Sequence, residues 1–469
     1  MPELLTALYI SGVGVGTVMV TAMVSVYYNV IIAYSLYYMF ASFQSPLPWS
    51  NCLNWLTVTV ECSLNETVAN LTQINGTCPE ESTSLSEQYW DNVVLQRSSG
   101  LDETGPIVWH LALCLLLSSI LITAVLIRGI KSSGKVVYFT ATFPYVVILI
   151  LVIRGATLEG ARDGIEYYIG VQSNLTKLTE AQVWKDAATQ IFYSLSIAWG
   201  GLMTLASYNN FHNNVFKDTF VVTLTNAGTS LFAGFAIFSI LGHMAHVYGN
   251  PVGEVVKEGF GLAFIAYPDA LSNASHSPLW SILFFVMLIT VGLDSQLQEL
   301  FVGSWLPAIL ALLEVTGLCY IYGGNRFIKD IEMMLGTKTF CFWLWWKACW
   351  FFITPCIIAV ILIWSLMELT PPVYGGSVPY PPWGLALGWC MVAFVLIWIP
   401  IFATWKLMTA EGQPWKRLKS VCCPSEDWHP YLAVHRGERY SEERCRHHKM
   451  KNIISPDSNN LNIISNSWL

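Results

Sequence analysis

Nine long apolar stretches follow one another along the chain, and they constrain its fold more than any other feature. They lie near residues 7–43, 106–128, 136–153, 187–207, 219–248, 279–293, 301–322, 340–367 and 383–405. About 20 apolar residues suffice for one helical crossing of a bilayer, and only helices or closed barrels are stable inside one. The sequence therefore predicts an all-α polytopic membrane protein rather than a set of water-soluble domains.

Charged residues are correspondingly scarce. Only 12% of the 469 residues are Asp, Glu, Lys or Arg, whereas soluble domains average about 25%. This composition excludes an ordinary cytosolic enzyme, a disordered chain and a nucleic-acid-binding protein. The sequence also lacks the HExxH, GxSxG, GxxxxGK[ST] and CxxC motifs, so it offers no support for an enzyme.

Five N-glycosylation sequons and the basic loops predict which side of the membrane each segment faces. The sequons begin at Asn65, Asn70, Asn75, Asn174 and Asn273. They alternate along the chain with loops rich in Lys and Arg, as the positive-inside rule requires. The acidic loop 44–105 is therefore expected outside, and the start of the chain and the tail 406–469 in the cytoplasm. On the oxidising outer side we expect a Cys52–Cys62 disulfide, which leaves Cys78 unpaired.

One place breaks this alternation. Asn273 is predicted outside and Arg326 inside, which requires an odd number of crossings between them. Residues 279–322 nevertheless form two apolar runs, separated by the polar patch 294–299. Either this region is one long bent element, or a stretch of the chain is missing here.

Polar residues inside apolar runs are costly in a bilayer and mark candidate sites. Residues 186–203 contain Ser194, Ser196, Gly200 and Gly201 within two helical turns. Such small residues loosen a helix and free backbone carbonyls for a hard cation. Close packing of helices through small residues explains the same spacing equally well.

Three further positions stand out for the same reason. Asp294 and Ser295 follow an apolar run, and a carboxylate buried there needs either a bound sodium ion or a structural salt bridge. Asn226 and Ser230 lie at i and i+4 on one helix face, where they bind an ion or bond to a neighbouring helix. Tyr28 lies in the middle of the first run, and by itself it indicates packing more than ligand binding.

Together these segments resemble the neurotransmitter:sodium symporter family. The matching stretches include YYNVIIAYSLYYMFASF, GIKSSGKVVYFTATFPY, VWKDAATQIFYSLSIAWGG, SYNNF, TSLFAGFAIFSILGHMA, MLITVGLDS and YGGNRFIKDIEMMLG. They are most similar to the members that carry neutral and basic amino acids. The resemblance implies an inverted-repeat symporter fold. It also implies sodium- and chloride-coupled import of neutral and cationic amino acids across the plasma membrane by alternating access.

The resemblance also implies roles for individual residues. The substrate-binding residues would be Val24, Tyr28, Tyr193, Ser196, Trp199 and Ser295. The sodium ligands would be Ser194, Asn226, Val291, Asp294 and Ser295. The chloride ligands would be Gln190, Ser194, Asn226 and Ser230. A mobile chloride ion would then balance the positive charge of the co-transported sodium.

Matched helix by helix, the chain is expected to lack family helices 1, 2 and 9. Residues 1–43 match the third family helix, 44–105 form the glycosylated loop, 106–405 match helices 4–8 and 10–12, and 406–469 are the tail. The first family helix holds the substrate carboxylate and both sodium ions, so we expect this chain to be inactive alone. The alternative is a non-transporting short product that associates with or regulates the full-length carrier. The last residues, Ser467–Leu469, suit a PDZ domain.

Overall fold

A computed structural model describes the greater part of the chain. The described residues are 4–50, 85–98, 100, 102–103, 105–127, 130–170, 175–198, 200–255, 261–272, 276–296, 305–367, 373–374, 378–409, 413, 430 and 433–435. Several predicted features lie outside them, namely Asn65, Asn70, Asn75, Asn174, Asn273, Cys52, Cys62, Trp199 and Ser467–Leu469. The side chains of Val24, Asp294 and Ser295 also lie outside the description, although their backbone is helical.

The described residues are almost entirely helical. The first helices are α1 (Leu4–Ala41), α2 (Leu85–Tyr89), α3 (Trp109–Leu126), α4 (Ile130–Ala156), α5 (Ala161–Ile169), α6 (Ala181–Ser194), α7 (Gly201–Ala206) and α8 (Val215–Tyr248). They are followed by α9 (Val252–Val255), α10 (Tyr267–Ser272), α11 (Ser277–Gln296), α12 (Trp305–Thr316), α13 (Gly324–Leu335), α14 (Phe340–Ala348), α15 (Thr354–Met367), α16 (Pro382–Leu396) and α17 (Trp398–Thr409). Two short strands, β1 (Val373–Tyr374) and β2 (Val378–Pro379), pair antiparallel.

Local turns also extend or connect several helices. Wider π turns cover Trp90–Val94, Leu262–Ala266, Gly317–Gly323 and Cys349–Ile353. Single 3₁₀ turns cover Pro48–Ser50, Leu175–Thr179 and Ala433–His435.

The two ends of α8 show how individual residues determine where a helix begins and ends. The Asn214 side chain accepts a hydrogen bond from the Lys217 backbone N–H at 3.1 Å, and Gly249 ends the helix in a left-handed conformation.

Six described helical segments are long and apolar enough to cross a membrane. They are Gly12–Ala41, Trp109–Leu126, Gly134–Ala156, Val215–Tyr248, Phe340–Met367 and Pro382–Thr409. A seventh candidate is the pair Pro307–Tyr320 and Gly324–Leu335, whose axes differ by 85°. The prediction of an all-α polytopic membrane protein is thereby confirmed.

Two of the predicted apolar stretches take another form. Residues 187–207 do not make one continuous helix, because α6 ends at Ser194 and α7 begins at Gly201. The stretch 279–293 lies in α11, whose apolar part, Ser277–Leu293, is shorter than the six candidate spans. Glycines and hydroxyl residues loosen the first of these, and such breaks persist in membranes when neighbouring groups satisfy the freed backbone.

The long helix α1 lies at the centre of the packing. Near its end, Tyr38 stacks on Phe285 of α11 with ring centroids 4.9 Å apart. Nearer its middle, Ile32 lies against Gly292 of the same helix. As residue numbers rise along α11 they fall along α1, so the two helices run antiparallel. The first half of α1 packs instead against α12, α16 and α17.

An aromatic cluster joins the end of α1 to the loops beside it. We call it the aromatic end, and it comprises Tyr38, Trp49, Trp90, Phe264 and Phe285. The Tyr38 hydroxyl donates to the Phe264 carbonyl at 3.0 Å, and the Trp90 and Phe264 rings stack at 5.0 Å. Such pairs each contribute about 0.5–1.5 kcal/mol beyond burial of area. These contacts hold the segment around α10 against α1 and α2.

A buried carboxylate lies next to this cluster, outside the membrane-spanning helices. Asp269 of α10 accepts hydrogen bonds from the Ser86 hydroxyl at 3.2 Å and the Tyr248 hydroxyl at 2.5 Å. Burial raises the pKa of Asp269, whereas these two hydrogen bonds act in the opposite direction. Asp269 therefore ties α10 to α2 and to the end of α8.

Helices α5 and α8 touch through glycines. A Cβ atom built on Gly164 would lie 1.8 Å from the Phe238 carbonyl oxygen. One built on Gly242 would lie 2.5 Å from the Gly164 backbone nitrogen. Only residues without a side chain allow two backbones to approach so closely, as in small-residue packing within membranes.

Candidate functional site

The break between α6 and α7 contains three residues with left-handed backbone. They are Ser196 at φ 49°, Ala198 at φ 65° and Gly200 at φ 76°. Ser196 and Ala198 are buried, with 7% and 8% of their surface exposed. A left-handed conformation costs L-residues about 1–2 kcal/mol each, so the surrounding packing must hold it in place. The loosening predicted from the small residues in this stretch is present.

The first half of α1 packs against the break. A Cβ built on Gly200 would lie 3.5 Å from the Thr17 hydroxyl oxygen, and Ala198 belongs to the same apolar cluster as Val20. Tyr28 and Tyr193 pack at the edge of that cluster. Three of the predicted substrate-binding residues, Tyr28, Tyr193 and Ser196, are thus brought to one region between α1 and the broken helix.

The hydroxyl of Ser194 and the side-chain amide of Asn226 meet where α6 ends. The two residues are 32 positions apart, with Ser194 Oγ 3.0 Å from Asn226 Oδ1 and 2.8 Å from Asn226 Nδ2. Ser230 lies one turn further along α8 and donates its hydroxyl to the Asn226 carbonyl at 3.1 Å. Gln190 precedes Ser194 by one turn of α6 and is exposed.

This arrangement suits small ions on chemical grounds. A hydroxyl and an amide offer both donors and acceptors without carrying charge, so the pair accepts a hard cation through oxygen or an anion through N–H and O–H. Within the described part of the chain, no group of three or more His, Cys, Asp or Glu side chains could hold a metal ion.

The second predicted sodium site lies at the end of α11. Val291 precedes Asp294 and Ser295 by three and four residues, which places all three on one helix face. Gly292 in the same turn approaches Tyr28, whose Cε1 atom would lie 3.9 Å from a Cβ built on that glycine. The fold therefore brings this turn of α11 beside Tyr28.

One polar network near the site was missed by the sequence reasoning. Asn29, next to Tyr28 on α1, donates from Nδ2 to the Ser119 hydroxyl at 2.7 Å. Its Oδ1 atom accepts a hydrogen bond from the Ser118 hydroxyl at 2.6 Å. The only sequence signal was a Ser-Ser pair inside an otherwise apolar run. These bonds fix how α1 is rotated about its own axis relative to α3. They thereby set the direction in which the Tyr28 side chain projects from α1.

The fold and this region define a class of protein, a polytopic helical membrane protein with a broken helix beside a cluster of uncharged polar groups. The sequence profile of the Sodium:neurotransmitter symporter family matches residues 6–302 and 297–410. The chain belongs to that family. Its resemblance to the family is confirmed, and so is the expectation that it is not an enzyme.

Individual relatives agree with this assignment. The sodium- and chloride-dependent neutral and basic amino acid transporter B(0+) of Mus musculus is 53% identical over 502 positions, covering 92% of this chain and 78% of the mouse protein. The Homo sapiens protein of the same name is 53% identical, covering 92% of this chain and 79% of its own length. The sodium- and chloride-dependent glycine transporter 2 of Xenopus laevis is 40% identical, covering 95% of this chain and 64% of its own length.

Two features of these matches concern residues that the relatives have and this chain lacks. The two matches to the family profile meet at residues 297–302, between α11 and α12. The comparison with the mouse protein extends over 502 positions, more than the 469 residues of this chain. The mouse protein therefore has residues within the compared region to which nothing in this chain corresponds.

Proposed function

We propose that the chain carries the substrate and ion sites of a sodium- and chloride-coupled symporter that imports neutral and cationic amino acids across the plasma membrane. The observation that carries the proposal is the contact of Ser194 with Asn226 at the break between α6 and α7. Broken helices at the membrane midplane are where secondary transporters bind substrate and coupling ions. The printed names of the mouse and human relatives state the same ions and the same substrate class.

The proposed substrate pocket lies between α1 and the broken helix. The Tyr28 hydroxyl contacts the substrate carboxylate, Val24 lines the wall one turn earlier, and Tyr193, Ser196 and Trp199 form the opposite side. Ser295 completes the pocket from α11. The packing of Tyr28 and Tyr193 around one apolar cluster supports this assignment.

The proposed ion sites use the neighbouring polar groups. Ser194 and Asn226 contribute to the first sodium site. The second is built from the Val291 carbonyl with the Asp294 and Ser295 side chains. The chloride ligands are Gln190, Ser194, Asn226 and Ser230. The short distances among Ser194, Asn226 and Ser230 support a shared binding region on α6 and α8.

Coupling to sodium would make this site concentrate its substrate. Each net positive charge that moves inward gains about 2.3 kcal/mol per 100 mV of membrane potential. Because a cationic amino acid carries an additional charge, the same potential favours its uptake as well. Rocking of one helix bundle against the other would expose the site to each side in turn.

We further propose that residues 1–469 alone do not transport. Two observations support this. The predicted chloride ligands Gln190 and Ser230 are exposed rather than enclosed, and an ion must lose most of its water to be bound tightly. In addition, the mouse protein has residues within the compared region to which nothing in this chain corresponds.

A second candidate function is association with a complete carrier. It is favoured by exposed apolar side chains on the helices around the break, including Ile191, Leu202, Met203, Leu205, Leu224 and Leu231. An exposed apolar side chain on a membrane helix packs against either lipid or another helix, and a complete carrier would supply such a helix. Co-expression with the mouse relative tests this, because the chain should co-purify with the carrier and lower its uptake. Leu224→Lys should abolish both effects, while Trp345→Lys on α14 serves as the exposed control.

The primary test is uptake of radiolabelled leucine and arginine by cells, with sodium and chloride replaced in turn. We compare residues 1–469 with a chimera in which segments present only in the mouse relative are joined to this chain. The chimera should take up both amino acids only when sodium and chloride are present, and residues 1–469 should not. Uptake by residues 1–469 would overturn the inactivity proposal, whereas no uptake by a surface-expressed chimera would overturn the symporter proposal.

A further inference from the structure

Two polar contacts join residues 217–231 of α8 to other helices. Every residue in this stretch is exposed except Asn226 and Thr229, which are half-buried. Asn226 contacts Ser194 of α6. Thr229 contacts Tyr145 of α4, whose hydroxyl oxygen lies 2.9 Å from Thr229 Oγ1. Neither Tyr145 nor Thr229 belongs to the proposed substrate and ion site, so the second contact has no role in it yet.

The chemistry of the second contact shows which hydroxyl is the donor. The Thr229 hydroxyl donates to the Thr225 carbonyl one turn earlier, at 2.7 Å. A threonine hydroxyl has only one hydrogen to give, so towards α4 it accepts and the Tyr145 hydroxyl donates. The bond between the helices therefore depends on the phenolic hydroxyl of Tyr145.

Thr229 and Ser230 lie on either side of Asn226 around the axis of α8. Successive residues of an α-helix are rotated by about 100°, so Thr229 lies about 60° to one side of Asn226 and Ser230 about 40° to the other. A bond at Thr229 therefore fixes the direction in which the side chains of Asn226 and Ser230 project from the helix.

Apolar contacts do not fix that direction by themselves. Lipid tails are as apolar as the exposed side chains of Val221 and Leu224, so those side chains are equally compatible with several rotations of α8. Tyr145, by contrast, belongs to a helix that is held elsewhere, because Gly155 of α4 lies against the Ser239 side chain. Its hydroxyl therefore binds residues 217–231 to a fixed neighbour.

We propose that Tyr145 is a positioning residue for the ion site, which through Thr229 holds α8 at the rotation that brings Asn226 to Ser194. The inference rests on the proposed function, because it assigns a role within that same site. Tyr145 is not itself an ion ligand in this role. Ligands that are ordered before the ion arrives lose less free energy on binding, so the Tyr145 hydroxyl raises the affinity for the ion.

The first test measures how leucine uptake by the chimera depends on chloride. Tyr145→Phe should raise the chloride concentration for half-maximal uptake about fivefold, the loss of one neutral hydrogen bond. The maximal rate and the amount of protein at the cell surface should stay unchanged, whereas a merely structural role would lower them. Tyr138→Phe is the matched control, because Tyr138 lies two turns earlier on α4 and is 79% exposed.

The partner of Tyr145 provides a second variant of the same bond. Thr229→Val should raise the half-maximal chloride concentration by the same factor as Tyr145→Phe. The double variant should be no worse than either single one, because all three remove one and the same bond. An unchanged half-maximal chloride concentration in Tyr145→Phe, or multiplied effects in the double variant, would overturn the inference.

A second experiment measures the position of α8 without transport. In the purified 469-residue chain, Ser194→Cys and Asn226→Cys together place two thiols where the hydroxyl and the amide now meet. Copper phenanthroline should join them in a disulfide, which peptide mass mapping detects. Because this pair also removes the bond between Ser194 and Asn226, the rotation of α8 then depends more strongly on Tyr145.

Adding Tyr145→Phe to this cysteine pair should slow cross-linking about fivefold, again the loss of one hydrogen bond, and adding Tyr138→Phe should not. Equal rates in the two variants would overturn the inference about Tyr145. Slowed cross-linking together with no chloride-dependent uptake by the unaltered chimera would overturn the symporter proposal instead, and Tyr145 would still be shown to position α8.

Discussion

The two halves of α8 differ sharply in their surroundings. From Lys217 to Leu231 every residue is exposed except Asn226 and Thr229, which are half-buried. From Gly234 to Ala245 the helix is packed, and Ile240, Leu241 and Gly242 are buried. A helix that simply faces lipid would be exposed along one stripe, whereas residues 217–231 of α8 are covered only where Asn226 and Thr229 lie. We call these the open half and the packed half.

The packed half of α8 stabilises the fold, whereas the open half carries residues of the proposed function. The packed half is rich in small residues, so α5 approaches it backbone to backbone at Gly164 and Gly242, and Gly155 of α4 lies against the Ser239 side chain. The open half carries Asn226 and Ser230, whose polar groups would need hydrogen-bond partners if the helix were covered by apolar neighbours. The two α8 residues proposed to bind ions, Asn226 and Ser230, therefore lie where packing contributes little to the fold.

The largest expected effect is that of Gly242→Ala in the packed half. The added methyl would meet the Gly164 nitrogen and the Gly160 carbonyl oxygen at 2.5 and 2.6 Å, so the helices must separate. We expect a loss of about 3 kcal/mol in the free energy of unfolding, measured by denaturation in detergent micelles. Gly228→Ala in the open half is the control, because a Cβ there meets nothing within 4 Å. Equal destabilisation by both would contradict the comparison.

A smaller loss is expected when the network between α1 and α3 is broken. Asn29→Ala removes the partner across the helices from the Ser118 and Ser119 hydroxyls, which keep the Leu115 carbonyl within their own helix. Interhelical hydrogen bonds in membranes contribute about 0.6–2 kcal/mol. A double-mutant cycle with Ser118→Ala should give a coupling energy of similar size. Thr123→Ala is the control, since that hydroxyl bonds only within its own helix, to the Ser119 carbonyl. A coupling energy near zero would mean that the network does not hold the two helices together.

The third effect is a dependence on pH that belongs to the packed region beside α8. Burial raises the folded-state pKa of Asp269 above its ordinary value of 3.8. The folded chain then binds a proton more tightly than the unfolded chain, so this contribution to stability is complete below pH 3.8 and is lost as pH rises through the raised pKa. Asp269→Asn should flatten the melting temperature over that range. An unchanged pH profile in Asp269→Asn would show that the carboxyl is not responsible.

The smallest expected effect on stability comes from the open half. Asn226→Ala removes a hydrogen bond that is only half-buried, so we expect a change of about 0.5 kcal/mol or less in the free energy of unfolding. In the chimera, the same change should raise the sodium and chloride concentrations for half-maximal uptake about tenfold, the loss of roughly one ligand bond. Thr223→Ala on the same helix is the control, because its hydroxyl bonds to the Thr219 carbonyl. Destabilisation as large as that of Gly242→Ala would remove the distinction between the halves.

Much of the fold and part of the candidate site follow from local pattern. Apolar runs long enough to span a bilayer predict helices because an unpaired backbone is costly in lipid. Ser194, Ser196 and Gly200 predict a loosened helix, and left-handed backbone occurs at two of these three residues. The same small residues equally favoured close packing of helices. The spacing of residues along one helix does not specify which groups of a neighbouring helix face them.

Only the tertiary structure decided which side chains of different helices contact each other. Ser194 and Asn226 are 32 residues apart, and Asn29 and Ser118 are 89 apart. Hydropathy does not specify the rotation of each helix about its axis, because every face of an apolar helix is equally compatible with lipid. Contacts such as that of Gly164 with Gly242 set the rotation, and they exist only once two helices have met. The sequence by itself thus determined a helical membrane protein of a recognisable family. The packing of α1, α6, α8 and α11 decided which polar groups share a site.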